Sequence, residues 1–194
     1  EMQIHFLVRA AVQDLGMKRF AVMYPNSSYG VEYGNLFWNY VNAYGGKVVA
    51  AQTYSPAEKD FRLPVQRLLG LYYAEARKEE FNLRLYEARQ SDKKKSIRDS
   101  GGELMLSPLT DFDAVFIADG PQQLGIISSM FAFYDVKSMY FLGTNIWNSP
   151  GIAKRVSTYP ESVIFTDSYQ SNFNGTDRFK FVLDYRTQFN EEPG

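Results

Sequence analysis

Apolar residues Ile4, Leu7, Val8, Ala11 and Leu15 recur three or four positions apart. That spacing places them on one face of a helix, and Gly16 follows where a glycine ends one. Next comes the run Phe20-Ala21-Val22-Met23, set within Arg19 to Tyr24. It is apolar without alternation, as in a parallel strand covered by helices on both faces. The cycle then repeats. A helix is predicted over Tyr29 to Ala43, with Leu36, Phe37, Tyr40 and Val41 on one face; Gly45-Gly46 stops it and a strand runs from Lys47 to Thr53. A third helix starts after Asp60. The pattern further predicts a strand at Ala114 to Ala118, a helix from Pro121 to about Tyr134, and a strand at Tyr140 to Leu142. A short helix after Pro150, a strand at Val163 to Thr166 and a helix from Asp177 to Phe189, carrying Phe181, Val182 and Tyr185, close the set.

Strands alternating with helices imply right-handed crossovers and a parallel sheet between two helical layers. The expectation is an α/β, doubly wound three-layer sandwich with a five-stranded parallel sheet in the order 2-1-3-4-5. One stretch breaks the rhythm, an excursion at residues 71–109 inserted between the third helix and the third strand. Residues 75–99 hold eight basic and six acidic side chains, including Lys93-Lys94-Lys95. Such mixed runs form solvated helices with a poorly ordered tip, here expected at Ser91 to Gly102; a docking surface for a partner is the other reading.

Composition narrows the chemistry. The 194 residues are 45% apolar, enough for one sizeable domain. A net charge of −1 gives no bulk attraction to polyanions, so no nucleic-acid partner is expected. The absence of cysteine excludes disulfides, thiolate metal sites and a cysteine nucleophile. The single histidine, His5, sits in the first helix far from the loops considered below, so neither a Ser-His-Asp triad nor a multi-histidine metal site can be built. No phosphate-binding glycine motif of the GxxxxGK[ST] or GxGxxG kind occurs. An enzyme, a cofactor and a metal are therefore not expected. No apolar run approaches the roughly 18 residues of a membrane span.

In an open parallel sheet, ligands sit beyond the carboxyl ends of the strands, where helix N-termini converge. The loops so placed are Asn26 to Gly30, Asp119 to Gln122, Thr144 to Pro150, and Asp167-Ser168-Tyr169. From them Ser28, Tyr29, Asp119, Gly120, Asn145 and Trp147 are the candidate ligand-binding residues. Each has a plainer reading. Asn26 to Ser28, Asp119 with Pro121, and Ser149 with Pro150 fit helix caps. Trp147 is either the apolar wall of a small-molecule site or a core side chain.

The segments YPNSSYG from Tyr24, GGKVV from Gly45, EKDFRLPVQRLL from Glu58, FDAVFIADGPQQ from Phe112 and FLGTNIWNSP from Phe141, in that order, resemble the second lobe of type I periplasmic solute-binding proteins of the Leu/Ile/Val-binding kind. Within that group LPVQRLLGLYY and GTNIWNSP look closest to penicillin-binding-protein activators and amino-acid transporter receptor lipoproteins. The resemblance implies one lobe, residues 1–194, of a two-lobed receptor whose ligand, a small polar molecule, lies between the lobes. It implies as partners the missing first lobe and either a transporter permease or a cell-wall synthase, and a periplasmic or cell-envelope location with a lipid anchor on the missing N-terminus. In amino-acid-binding members an aromatic residue after the third strand and an acid after the fourth meet the ligand; the matching positions here are Gly120 and Asn145. An amide does not neutralise an ammonium and glycine offers no aromatic wall, so the resemblance does not extend to an ordinary branched-chain amino acid. The alternative function is an envelope interaction module with a vestigial cleft.

Overall fold

Every residue of the run Phe20-Ala21-Val22-Met23 is fully buried in the computed structural model, which describes residues 1–73, 75–90, 106–136, 138–156, 162–167 and 185–188. The run lies in β1 (Arg19–Pro25). Around it stand β2 (Lys47–Tyr54), β3 (Ala114–Ile117), β4 (Tyr140–Gly143) and β5 (Val163–Phe165). They form one sheet in the order β2-β1-β3-β4-β5, all pairs parallel. The expected architecture and strand order are both present. Register places Met23 beside Ile117, and Phe116 beside Leu142, so β3 and β4 finish level while β1 runs two residues further, to Pro25.

Alternation of side chains across the sheet gives two cores. On one face α1 (Met2–Arg9) and α2 (Ser28–Ala43) bury Ile4, Leu7, Phe37 and Val41 against Phe20, Val22, Phe116 and Leu142. Phe37 stacks face to face on Phe116 at 4.3 Å and meets Phe20 edge-on at 5.6 Å. On the other face α3 (Arg62–Leu68) and α5 (Pro121–Phe133) bury Val65, Leu68, Leu124 and Ile127 against Met23, Val115, Ile117 and Phe141. Each such side chain contributes about 1.5–3 kcal/mol on leaving water. The predicted first helix runs as α-helix only to Arg9; Ala10–Asp14 continue it as a wider π-turn that buries Ala11 and Val12, and Gly16 at φ 71° ends it.

The excursion leaves the body through Gly70 and returns before β3. Its helix, α4 (Lys78–Gln90), starts beside Arg77, whose guanidinium is almost buried, pairs with Glu80 at 2.8 Å, and donates to the carbonyls of Gly70 (3.1 Å) and Ser107 (2.8 Å). The Leu109 amide also donates to the Leu69 carbonyl at 2.9 Å. Both strands of the neck are thus tied together. The tip expected at Ser91 to Gly102 lies outside the described residues. So does most of the helix expected at Asp177 to Phe189, of which 185–188 are helical. A short helix, α6 (Ile152–Arg155), leads into β5.

Candidate functional site

From β1 the chain turns to β2 on one side, and from β3 it turns to β4 on the other. The two loops diverge and leave a crevice above the carboxyl ends of β1 and β3, the topological switch point where open α/β sheets take ligands. α2 starts against the end of β1: Ser27 is its N-cap, its hydroxyl accepting from the Gly30 amide at 3.1 Å. The capping reading therefore holds for Ser27, while Ser28 stands exposed one residue on.

Tyr29, in the first turn of α2, leans across the top of β3. Its ring stacks on Tyr33 at 4.3 Å and its hydroxyl bonds to Thr144 Oγ1 at 3.0 Å, just past β4. Burial pushes the Tyr29 phenol up from its ordinary value, and the Thr144 bond partly opposes that rise.

Asp119 follows β3 and is half-buried. Three elements hold it. Tyr54, the last residue of β2, donates its hydroxyl to Oδ2 at 2.9 Å; the Gly120 amide, at the N-cap of α5, donates to Oδ1 at 2.7 Å; and Trp147 Nε1 donates to the Asp119 carbonyl at 2.7 Å. Tyr54 is itself buried against Phe61, edge to face at 4.9 Å. Burial first, and then the charge of Asp119, pushes its phenol far above the tyrosine range, so it remains a neutral donor. A side chain grown from Gly120 would meet only the end of Gln123, at 3.2 Å, so the space above this residue is open.

Asn145 is exposed at the head of a 3-10 turn, Asn145–Trp147. Trp147, at its end, is where the wall reading is corrected: the ring is 0% exposed. It lies so tightly on Gly143 that an added Cβ there would come within 2.4 Å of it. A short loop entering a 3-10 turn aims the third residue back at the sheet, so the ring props the crevice from beneath. The structure thus brings Tyr29 and Asp119 to one crevice with Gly120 and puts Ser28 and Asn145 on its exposed margin. Ser168 and Tyr169 lie outside the described residues. Two contributors were not among the candidate residues, although Thr144 opens one of the loops the sequence points to. Tyr54 lies one residue beyond the predicted end of β2, and Thr144 is a buried hydroxyl whose partner is distant in sequence; the only signal for either was its position at a strand's carboxyl end.

Beside α2 a cavity of about 610 Å³ is lined by Gln3, Phe6, Tyr33, Thr166 and Asp167 among others. His5 is accounted for by its bond to the Tyr44 hydroxyl at 2.6 Å. Among the described residues no three His, Asp or Glu side chains converge as metal ligands would, and no helix is long and apolar enough to cross a membrane.

No protein-family description matches the sequence, and neither does any curated protein. Solved structures do match. The leucine-, isoleucine-, valine-, threonine- and alanine-binding protein of Brucella ovis, in its closed conformation, superposes with a TM-score of 0.63 at 15% identity over 99% of this chain and 39% of its own. A leucine-binding protein of Thermotoga maritima gives 0.61 at 19% identity, over 99% and 44%. The branched-chain amino acid transporter substrate-binding protein of Streptococcus pneumoniae, in complex with isoleucine, gives 0.57 at 16%, over 98% and 43%. The fold is that of type I periplasmic binding proteins, and the chain spans less than half the length of these neighbours.

Proposed function

We propose that this chain is one ligand-binding lobe of an extracytoplasmic solute-binding receptor that takes a small polar ligand, serving transport or sensing. The observation that carries the reading is the polar crevice at the switch point. There one hydrogen bond joins Tyr29 of α2 to Thr144 after β4 and another joins Tyr54 of β2 to Asp119 after β3, in a fold whose solved neighbours are substrate-binding proteins. Residues fixed before a ligand arrives lose little entropy on binding it. Closure of a second lobe over the crevice would then bury the ligand and shift the receptor to its closed state. A permease that receives the ligand and a location in the periplasm or cell envelope belong to the same proposal.

The test is a nuclear magnetic resonance titration of the full-length protein with amino acids and their derivatives. Saturable shifts are expected at Ser28, Tyr29, Tyr54, Gly120 and Asn145. Saturable shifts at the amino ends of the strands instead, or none with any compound, would refute the reading.

A second reading, an interaction module, draws support from the excursion and its neighbourhood. Tyr72, Tyr73, Leu83, Tyr86, Leu109 and Phe133 are each about half exposed or more; side chains of this kind mark a docking face where they form one contiguous patch.

A further inference from the structure

The first helix carries apolar side chains on two faces. Ile4, Leu7 and Val8 are buried in the core, whereas Met2 and Phe6 are 74% and 47% exposed. Four positions apart, these two sit one above the other on the face of α1 turned away from the sheet. With Tyr33 of α2 they form the apolar wall of the cavity of about 610 Å³ between α1, α2 and the end of β5. Small-molecule sites commonly measure about 300–1,000 Å³. Tyr33 is held by its stack on Tyr29, whose hydroxyl is bonded to Thr144, so this part of the wall is set before anything binds. Two further residues lining the cavity carry an oxygen without a partner: Gln3 Oε1 and Thr166 Oγ1 are buried and accept no hydrogen bond, which is unfavourable for either atom. The terminal amide torsion of Gln3 is broad, so a small rotation presents its oxygen to a molecule in the cavity. Glu1 and Asp167 also line the cavity, but their carboxylates already accept from the Tyr40 hydroxyl and the Asn148 amide. Among the described residues that line it there is no Lys, Arg or His. The unmet need is for a neutral donor carried on an apolar body.

We propose that this cavity is a second ligand site, separate from the crevice, that takes a flat, uncharged aromatic molecule bearing one N–H or O–H donor. The ring lies against Met2, Phe6 and Tyr33, where a thioether and two aromatic side chains offer the contacts that rings favour. The donor reaches Gln3 Oε1 or Thr166 Oγ1 and supplies the missing hydrogen bond. An anion would meet two carboxylates and no cation. The inference does not depend on what the crevice binds, so it stands or falls apart from the receptor reading.

The experiment titrates the full-length protein with three probes: indole; 1-methylindole, which keeps the ring and lacks the N–H; and indole-3-acetate, which adds a carboxylate. Calorimetry gives the affinities and resonance shifts give the place of binding. Indole is expected to produce saturable shifts at Met2, Phe6, Tyr33 and Thr166 and to bind about fivefold or more tightly than 1-methylindole, with indole-3-acetate weaker than indole. A double variant that removes both oxygens, Gln3→Met with Thr166→Val, should bring indole and 1-methylindole to within about twofold of each other. Equal binding of indole and 1-methylindole by the wild type, indole-3-acetate binding as tightly as indole, or a ratio unchanged in the double variant overturns the inference. So do saturable shifts at Gly120 and Asn145 in place of those at the cavity, or no saturable shift at all. Should the double variant fail to fold, the comparison of the three probes on the wild-type protein decides the question.

Discussion

Gly143 and Trp147 should be energetically inseparable, and the geometry gives the size of the coupling. The indole is fully buried, so Trp147→Ala removes a side chain that buries about 150–250 Å². At about 25 cal/mol per Å² that is about 4–6 kcal/mol as an upper bound, and buried Trp-to-Ala changes typically cost about 3–5 kcal/mol. Gly143→Ala adds a single methyl at a residue whose φ is not positive, so its backbone tolerates alanine. The new Cβ, however, would stand 2.4 Å from Cδ2 and Cε2 of the ring. The indole cannot swing aside, because Nε1 is bonded to the Asp119 carbonyl and the ring has core on its other face. Over-packing of this kind costs about 1–3 kcal/mol. In the Trp147→Ala background the same methyl enters empty space and its cost should vanish. The double variant is therefore expected to be more stable than the sum of the singles by about 1–3 kcal/mol. Urea unfolding followed by far-ultraviolet circular dichroism, with m-values compared across the four proteins, measures this. Additivity within about 0.5 kcal/mol would show that ring and strand are not in contact and would sink the account of Trp147 as the prop beneath the crevice.

Two further outcomes follow from the same packing. Gly30→Ala would place a Cβ 2.1 Å from the Pro25 carbonyl oxygen, pushing α2 off the end of β1 and disturbing the Ser27 cap; a loss of at least about 2 kcal/mol is expected, and a wild-type melting temperature would contradict it. Tyr54 carries a folded-state pKa raised above its ordinary value, so its contribution is fully present below about pH 10 and is lost as pH rises further. In Tyr54→Phe the loss of urea stability above about pH 10 should be shallower than in the wild type, and identical alkaline profiles would count against a buried, hydrogen-bonded phenol.

The sheet was legible because its signal is periodic and redundant. Phe20 to Met23 and Ala114 to Ala118 lack any polar position, and runs this short between turn signals suit a parallel strand covered on both faces. The handedness of the crossovers then leaves few strand orders. The crevice was legible as a place for the same reason, since Tyr29, Asp119 and Gly120 follow from where the strands end. What stayed hidden was direction. Within the four residues from Thr144 to Trp147 no period says whether a ring faces the sheet or the solvent, and Trp147 turned inward against Gly143. Pairings between distant residues were hidden too: neither Tyr54 with Asp119 nor Tyr29 with Thr144, 65 and 115 residues apart, has a local signature. The π-turn at Ala10–Asp14 kept the apolar spacing close to that of an α-helix, and so did not announce itself.

The neck clasped by Arg77 ties the two ends of the excursion to each other where they meet the body. The carbonyls of Gly70 and Ser107 are gripped by one guanidinium and the Leu69 carbonyl by the Leu109 amide, so the two ends of the excursion are held together at its base. Lengthening such a loop costs only about 0.6 kcal/mol per doubling, provided Arg77 and its carbonyls are kept. The position is a natural socket: a reporter domain, an epitope or a shorter bridge can be spliced there while the crevice at the opposite end of the strands keeps its shape.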